Sequence, residues 1–446
     1  LVTFVTMAYI VILNPLILGG ENATDVMGNF LDPAQVSAAT GLTAGIMTIL
    51  FGVFARLPFA IAAGLGINSF LAVSVIGQVT WPEAMGLVII NGIIIVVLGA
   101  TGARTAIFNA VPQALKAAIT VGIGLFIAFI GFVDAGFVNR TPGGPPVQLG
   151  IDGSIASVPT LIFVIGLVLI GVLVARKVPG AILIGIVVTT TIAIIAQSIL
   201  QLGPSFKDPA GWHMTIPLPP TEIITMPDFG LVGQFDLFGS FARVGGLAAT
   251  MLVFTLVFTN FFDAMGTMTG LSKNAGLGTP DGMFPRIRSA FIVEGAGAIM
   301  GGATSTSSAT VYVDSAAGIG EGARTGLASL VTGVLFLLSM FFTPLTLIVP
   351  IEAGAAALVV VGAMMMAQIK EIKFESFAIA LPAFLTIVTM PLTYSIANGI
   401  GVGFISWSLI NGLSGRGKQV HWLMWVVSAG FVLYFVRGPI EVLLGH

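Results

Sequence analysis

Long apolar runs separated by short polar stretches cover most of the chain, and their lengths set the element pattern. A helix that crosses a bilayer needs about 20 mostly apolar residues. Such runs fall at roughly 1–19, 36–55, 58–77, 84–102, 114–133, 158–176, 178–199, 246–271, 287–302, 303–320, 325–349, 353–369, 376–393 and 394–413, which predicts fourteen segments. A further run at 422–436 would be about 22 Å long as a helix, short for a span, and reads as a tilted or interfacial extra. Segments 3 and 10 make poor continuous helices. Segment 3 contains Ala63-Gly64-Leu65-Gly66-Ile67-Asn68-Ser69-Phe70. Segment 10 is entered through Gly301-Gly302-Ala303-Thr304-Ser305-Thr306-Ser307-Ser308, a costly helix interior. Extended stretches near 61–67 and 307–313 are predicted instead, leading into half-helices that start near Asn68 and Asp314. Irregular backbone at membrane depth is tolerated only where protein or a water-filled cavity covers it.

Composition fixes the class. The chain has 446 residues, of which 56% are hydrophobic and only 8% charged, against roughly 25% charged in soluble domains. An all-α polytopic membrane protein is expected. The net charge of −2 gives no reason to expect nucleic acid. With no cysteine, disulfides and thiolate metal sites are excluded. His213, His421 and His446 all lie outside the long apolar runs, so neither a metal nor a cofactor is expected. The chain opens in an apolar segment without a basic n-region, which reads as a trimmed N-terminus rather than a signal peptide.

Lysine and arginine then orient the segments. With segment 1 entering from the cytoplasm, thirteen basic residues fall in inner loops, Arg56, Arg104, Lys116 and Lys273 among them, and three, Arg140, Lys207 and Arg243, in outer loops; Arg437 is unassigned. A multi-pass protein of the cell membrane with a cytoplasmic N-terminus is predicted. The long outer loop 200–245 leaves seven segments on either side. An odd number per half makes the second half enter from the opposite face, the signature of an inverted repeat. The corresponding interrupted segments, 3 and 10, are the sequence pointer to a transporter's binding site.

Three acids sit inside apolar spans: Asp263, Glu294 and Asp314, in consecutive segments 8, 9 and 10. No lysine or arginine occupies the middle of a span. Intramembrane acids are costly, and they usually face a partner or a polar cavity on a substrate or proton path. A plainer alternative is helix packing, for Asp263 and Glu294 alike. Asp314 and Asn68 are each placed to cap a following half-helix. Thr267 lies four residues after Asp263, on the same helix face. Asn14-Pro15 would interrupt or kink segment 1, and Met364-Met365-Met366 reads as core filler.

Several motifs together resemble the nucleobase–cation symporter-2 family, in its AzgA-like branch of adenine, guanine and hypoxanthine permeases. They are Thr6-Met7-Ala8-Tyr9-Ile10 through Asn14-Pro15, Gly64-Leu65-Gly66-Ile67-Asn68, Phe261-Phe262-Asp263-Ala264-Met265-Gly266-Thr267, and Asp314-Ser315-Ala316-Ala317-Gly318-Ile319 with Glu321-Gly322-Ala323-Arg324-Thr325-Gly326. The resemblance covers nearly the whole chain. It implies fourteen helices in a seven-plus-seven inverted repeat, with short antiparallel strands in segments 3 and 10. It also implies a core domain, 1–102 and 246–349, and a gate domain, 103–199 and 350–446, on either side of the loop 200–245.

The expected activity is secondary transport, not enzymatic: purine import driven by proton symport, with alternating access between core and gate. The family's base-binding carboxylates fall on Asp263 and Asp314, and its proton-coupling acid on Glu294, with Asp263 also a proton candidate. Thr267 stands where relatives carry histidine or aspartate, and Asp314 where the branch more often has glutamate. Asn68, Phe70, Thr267 and Phe262 complete the candidate substrate site, the two phenylalanines as covers for a flat ring. The expected partners are a purine nucleobase, a proton, the lipid bilayer and a second copy of the chain. An inorganic-anion carrier of the same fold is the alternative within transport. An intramembrane aspartyl protease using Asp263 and Asp314 is the alternative of another class, although no Gly-x-Gly-Asp motif is present.

Overall fold

The computed structural model describes residues 1–436 except 103–109, 142–145, 206–209, 214 and 279–283. Arg104, Lys207, Arg437 and His446 of the charge and histidine reading lie outside these residues, as does the side chain of Lys273. The chain folds into helices α1 (Val2–Met7), α2 (Ile10–Leu18), α3 (Pro33–Leu50), α4 (Leu65–Phe70), α5 (Trp81–Thr101), α6 (Gln113–Asp134), α7 (Val158–Ala175), α8 (Ala181–Leu200), α9 (Gly239–Val244), α10 (Gly246–Asn274), α11 (Ile287–Ala303), α12 (Ser315–Gly320), α13 (Gly326–Ser339), α14 (Thr343–Leu347), α15 (Ile351–Met365), α16 (Phe377–Leu392), α17 (Ile396–Asn411) and α18 (Trp422–Phe435). Among the described residues nine helices are long and apolar enough to cross a membrane, and four shorter apolar helices accompany them. The run at 422–436 forms α18, the 14-residue helix that its length allows. Two groups of helices pack: α5 on α11 and α3 on α13 in one, α6 on α15 and α16, with α7 and α8, in the other.

Four short strands interrupt the helices. The strands β2 (Val138–Arg140) and β3 (Val147–Leu149) form a hairpin after α6, where the sequence pattern gave no element. The strands β1 (Ile61–Ala63) and β4 (Ala309–Val311) pair antiparallel, Ile61 opposite Val311 and Ala63 opposite Ala309. These two are the extended stretches predicted for segments 3 and 10, but shorter. The half-helix after β1 starts at Leu65, capped by Gly64, so Asn68 lies inside it and does not cap it. The half-helix after β4 does start next to Asp314, yet no side-chain capping bond forms there.

A two-stranded ribbon inside a membrane leaves backbone groups on its outer edges, and each unsatisfied group costs several kcal/mol in lipid. Side chains complete these edges. The Thr48 hydroxyl donates to Ile61 O and accepts from Ile61 N, both at 2.9 Å. Ala60 N donates to Ser315 Oγ at 3.0 Å, and Ser329 Oγ lies 2.8 Å from both Leu57 O and Phe59 O. The same logic shows why segment 1 is not interrupted at Asn14-Pro15. Pro15 lacks the N–H that would bond the carbonyl four residues back, and Val11 O accepts instead from Ser37 Oγ at 3.2 Å. The helix therefore runs on through Pro15, and the break comes earlier, at Ala8-Tyr9 between α1 and α2.

The turn from α11 into β4 is tight. Ser305 and Ser307 take positive φ angles, 57° and 70°, a conformation that side chains rarely adopt. A Cβ at Gly301 would sit 1.8 Å from Ser307 O, so only glycine allows this approach.

The described part of the loop 200–245 is fastened at two places. Its first part holds to one helix group: Trp212 Nε1 donates to Gln197 Oε1 at 2.8 Å, and His213 meets Glu352 Oε1 through Nδ1 at 3.0 Å. Its last part holds to the other group. Gln35 donates to Asp228 at 2.8 Å, Asp236 N donates to Pro82 O at 2.8 Å, and Arg243 pairs with Glu83 at 2.7 Å.

Replacing Thr48 with valine keeps the shape and strips both bonds from Ile61. Thr48→Val is expected to cost about 1–3 kcal/mol, read as a lower thermal unfolding midpoint of the detergent-purified protein. An unchanged midpoint would show that the ribbon edge does not depend on Thr48.

Candidate functional site

The ends of β1 and β4 and the starts of α4 and α12 converge on one cavity of about 190 Å³. Gly64, Leu65, Gly66 and the stretch Thr310 to Asp314 form one wall. Asp263 and Thr267, one turn apart on α10, face it, and Tyr9 closes it from the α1–α2 break. The opposite side comes from the other helix group: Thr120 and Ile127 of α6, Val361, Met364 and Met365 of α15, and Gln368 just beyond.

Local structure explains how α10 brings its acid there. Asn260 Nδ2 donates to Ser308 Oγ at 3.0 Å, fastening α10 to the approach of β4. Asp263 follows three residues later on the same helix face. Asp314 accepts a hydrogen bond from the Tyr9 hydroxyl at its Oδ2, 3.3 Å away. No lysine, arginine or histidine is among the described lining residues. Two carboxyls in a small cavity walled by backbone make a strongly hydrogen-bonding site without a fixed positive charge. An ionised carboxylate accepts only, whereas a protonated one also donates. Among the described residues no group of acids and histidines is placed to hold a metal.

A second, wholly buried polar seam lies behind the ribbon. Asn68 donates to Asn14 Oδ1, and Asn14 donates to Thr40 Oγ1 at 2.8 Å and to Thr306 O at 3.3 Å. Thr43 and Thr304 hydroxyls meet at 2.7 Å, and Thr304 and Thr306 hydroxyls at 3.1 Å. Buried networks of this kind help to specify a core, although Asn68 Oδ1 is left without a partner in this one. This one locks α2, α3 and α4 to the turn before β4.

A family model described as the permease family matches residues 1–402. The chain belongs to the permease family. It is the nucleobase–cation symporter-2 family that the motifs resemble. The guanine/hypoxanthine permease PbuG of Bacillus subtilis is 36% identical over 446 residues, covering 98% of this chain and 94% of that one. The adenine permease AdeQ of Escherichia coli is 34% identical over 437 residues, with 97% and 91% covered. In fold, this permease is similar to the transmembrane domain of a cyanobacterial bicarbonate transporter, BicA, with a TM-score of 0.62 at 16% identity, covering 89% of this chain and 96% of that one.

Of the residues picked from the permease sequence, Asp263, Asp314 and Thr267 meet at the cavity. Asn68 does not; it is fully buried in the seam behind. Phe70 and Phe262 do not line the cavity either. Both are buried in the core, Phe262 against Phe258 and Phe261 with ring centroids 5.5 and 5.0 Å apart. The apolar part of the cavity wall comes from Leu65, Ile127, Val361, Met364 and Met365, and its aromatic rings are those of Tyr9 and Tyr312 rather than the two phenylalanines. Glu294 is fully buried in α11, where α11 packs on α5, and is not part of the lining. The sequence reading missed Tyr9 and Gln368. Tyr9 could have been found, since a tyrosine inside an apolar run needs a partner for its hydroxyl. Two of the three methionines read as filler, Met364 and Met365, are cavity wall.

The absence of native cysteine makes this placement directly measurable. Thr267→Cys is expected to react with a small water-soluble thiol reagent, and Phe262→Cys and Phe70→Cys to stay unlabelled under the same conditions. Equal labelling at all three positions would contradict the cavity lining.

Proposed function

We propose that this permease carries purine nucleobases across the cell membrane by proton symport, with a cytoplasmic N-terminus. The observation that carries the proposal is the pairing of Asp263 and Asp314 with strand-end backbone around one small cavity. A purine offers ring N–H donors on one edge and mixed donors and acceptors on the other, and two carboxyls can serve both. Asp263 accepts from the imidazole N–H, and Asp314 engages the pyrimidine-ring edge. The names of PbuG and AdeQ, guanine/hypoxanthine and adenine permeases, support the substrate class. The shared fold with a bicarbonate transporter keeps an inorganic anion in view. Two acids and no lining base disfavour it, because like charges repel at low dielectric.

Transport needs access from both faces. We assign 1–102 and 246–349 to a core and 103–199 and 350–446 to a gate, in a seven-plus-seven repeat, with the chain working as a homodimer. The cavity lies between residues of these two parts. A second cavity of about 500 Å³, lined by Pro15, Leu16, Glu21, Ser205, His213 and Thr346 among others, lies at the opposite end of α2 from Tyr9. Between the two cavities, α2 presses on Gly354 of α15: a Cβ there would stand 2.6 Å from Leu16 and 3.3 Å from Leu13. This contact is the closed barrier on the outer side, and its parting opens the path. Glu294, buried outside the cavity, handles the proton.

Asp263→Asn replaces an acceptor oxygen with a donor and removes the charge from a hydrogen bond worth roughly 1.5–3 kcal/mol. Equilibrium binding of hypoxanthine is expected to weaken about ten- to a hundred-fold, and inosine, which lacks the imidazole N–H, to compete poorly with the wild type. Wild-type affinity in Asp263→Asn would remove that residue from the site, and no binding of any purine to the wild type would sink the substrate assignment. In Glu294→Gln, binding is expected to hold within a few-fold while uptake driven by an imposed pH gradient is lost from proteoliposomes. Coupled uptake that survives this change would place the proton elsewhere.

A further inference from the structure

The Tyr9 side chain lines the cavity and hydrogen-bonds a site carboxylate, and its place follows from the break in the first helix. At Ala8-Tyr9 the hydrogen bonds tighten to the three-residue spacing, Val11 N to Ala8 O and Ile12 N to Tyr9 O. The tyrosine is 1% exposed, so its hydroxyl needs a partner inside the protein. That partner is Asp314 Oδ2, at 3.3 Å. Thr6, one turn earlier, holds the same residue by its backbone, donating to Asp314 O at 3.4 Å. Asp314 stands at the N-cap of α12, where a carboxylate ordinarily turns onto free backbone N–H groups. Here it makes no such bond.

We propose that Tyr9 is a positioning residue that sets base selectivity: it engages Oδ2 of Asp314, orients the carboxylate, and competes with a ligand donor for that oxygen. The proposal rests on the purine reading of the cavity. A phenol both donates and accepts, so Tyr9 serves Asp314 in either protonation state. The consequence is chemical. Guanine presents two adjacent donors on its pyrimidine-ring edge, the ring N–H and the exocyclic amine, and can pair with both oxygens of a free carboxylate. Hypoxanthine presents only the ring N–H. With Oδ2 already accepting from Tyr9, guanine gains less from its second donor.

Tyr9→Phe removes the hydroxyl and keeps the ring. Hypoxanthine binding to the purified full-length chain is expected to weaken about ten-fold, the scale of one hydrogen bond to a charged group. Guanine is expected to lose clearly less, because its second donor takes the freed oxygen, so the guanine-to-hypoxanthine affinity ratio rises. In an Asp314→Asn background the same change is expected to leave the ratio unmoved, since contacting residues are non-additive. A ligand-free melting curve establishes that each variant is folded, and Tyr9→Met, also without a hydroxyl, should give the same shift in ratio if Tyr9→Phe does not fold. Equal losses for the two bases, no loss for either, or a ratio shift that persists without the Asp314 carboxylate would overturn the role of Tyr9 while leaving the purine reading in place. A wild-type protein that binds neither base would remove both.

Discussion

The rest of the structure depends on a rule of solvation: inside a bilayer every backbone N–H and C=O needs a partner within the protein. Helices meet it internally. The β1–β4 ribbon cannot, and the polar side chains around it exist to complete it. Thr48, Ser315 and Ser329 reach the ribbon from three separate helices. They are small hydroxyl residues because each must act at short range within a close-packed interior. Binding follows from the same rule. Two strand ends give the cavity a wall of backbone, and short half-helices continue from it on either side.

The electrostatics of the site are as economical. Asp263 and Asp314 share a cavity with no described basic residue in its lining. Their charge is therefore tempered by hydrogen bonds, by the ligand or by protons rather than by a fixed cation. A site of this kind suits the proton-coupled carriage of a neutral base proposed above. The buried seam of Asn14, Asn68, Thr40 and Thr306 does the complementary work. It is uncharged, holds the ribbon rigid from behind, and spends its amides on structure rather than on ligand.

Much of this was legible in the sequence. Apolar run lengths revealed the membrane helices, and glycine and serine runs located both strands to within a few residues. Isolated acids in apolar spans found the two cavity carboxylates. What was not legible depended on tertiary partners. Whether Asn68 caps a half-helix or joins a seam turns on Asn14, some fifty residues away, and no local pattern encodes that choice. Phe70 and Phe262 sit beside site residues in sequence, but a helix turns neighbours to different faces. Pro15 suggested a kink because its missing hydrogen bond is visible in sequence, while the Ser37 hydroxyl that compensates is not. The tightening at Ala8-Tyr9 carries no proline or glycine to announce it.

The two-point fastening of the loop 200–245 has a mechanical consequence. Trp212 and His213 ride with one helix group, and Asp228, Asp236 and Arg243 with the other. The stretch 215–224 between these anchors contains Pro217, Pro219 and Pro220, which hold chain extended and deprive it of donors. It is a tether without helix or strand to unwind, so the alternating movement proposed above would load it between its two anchors, well away from the cavity.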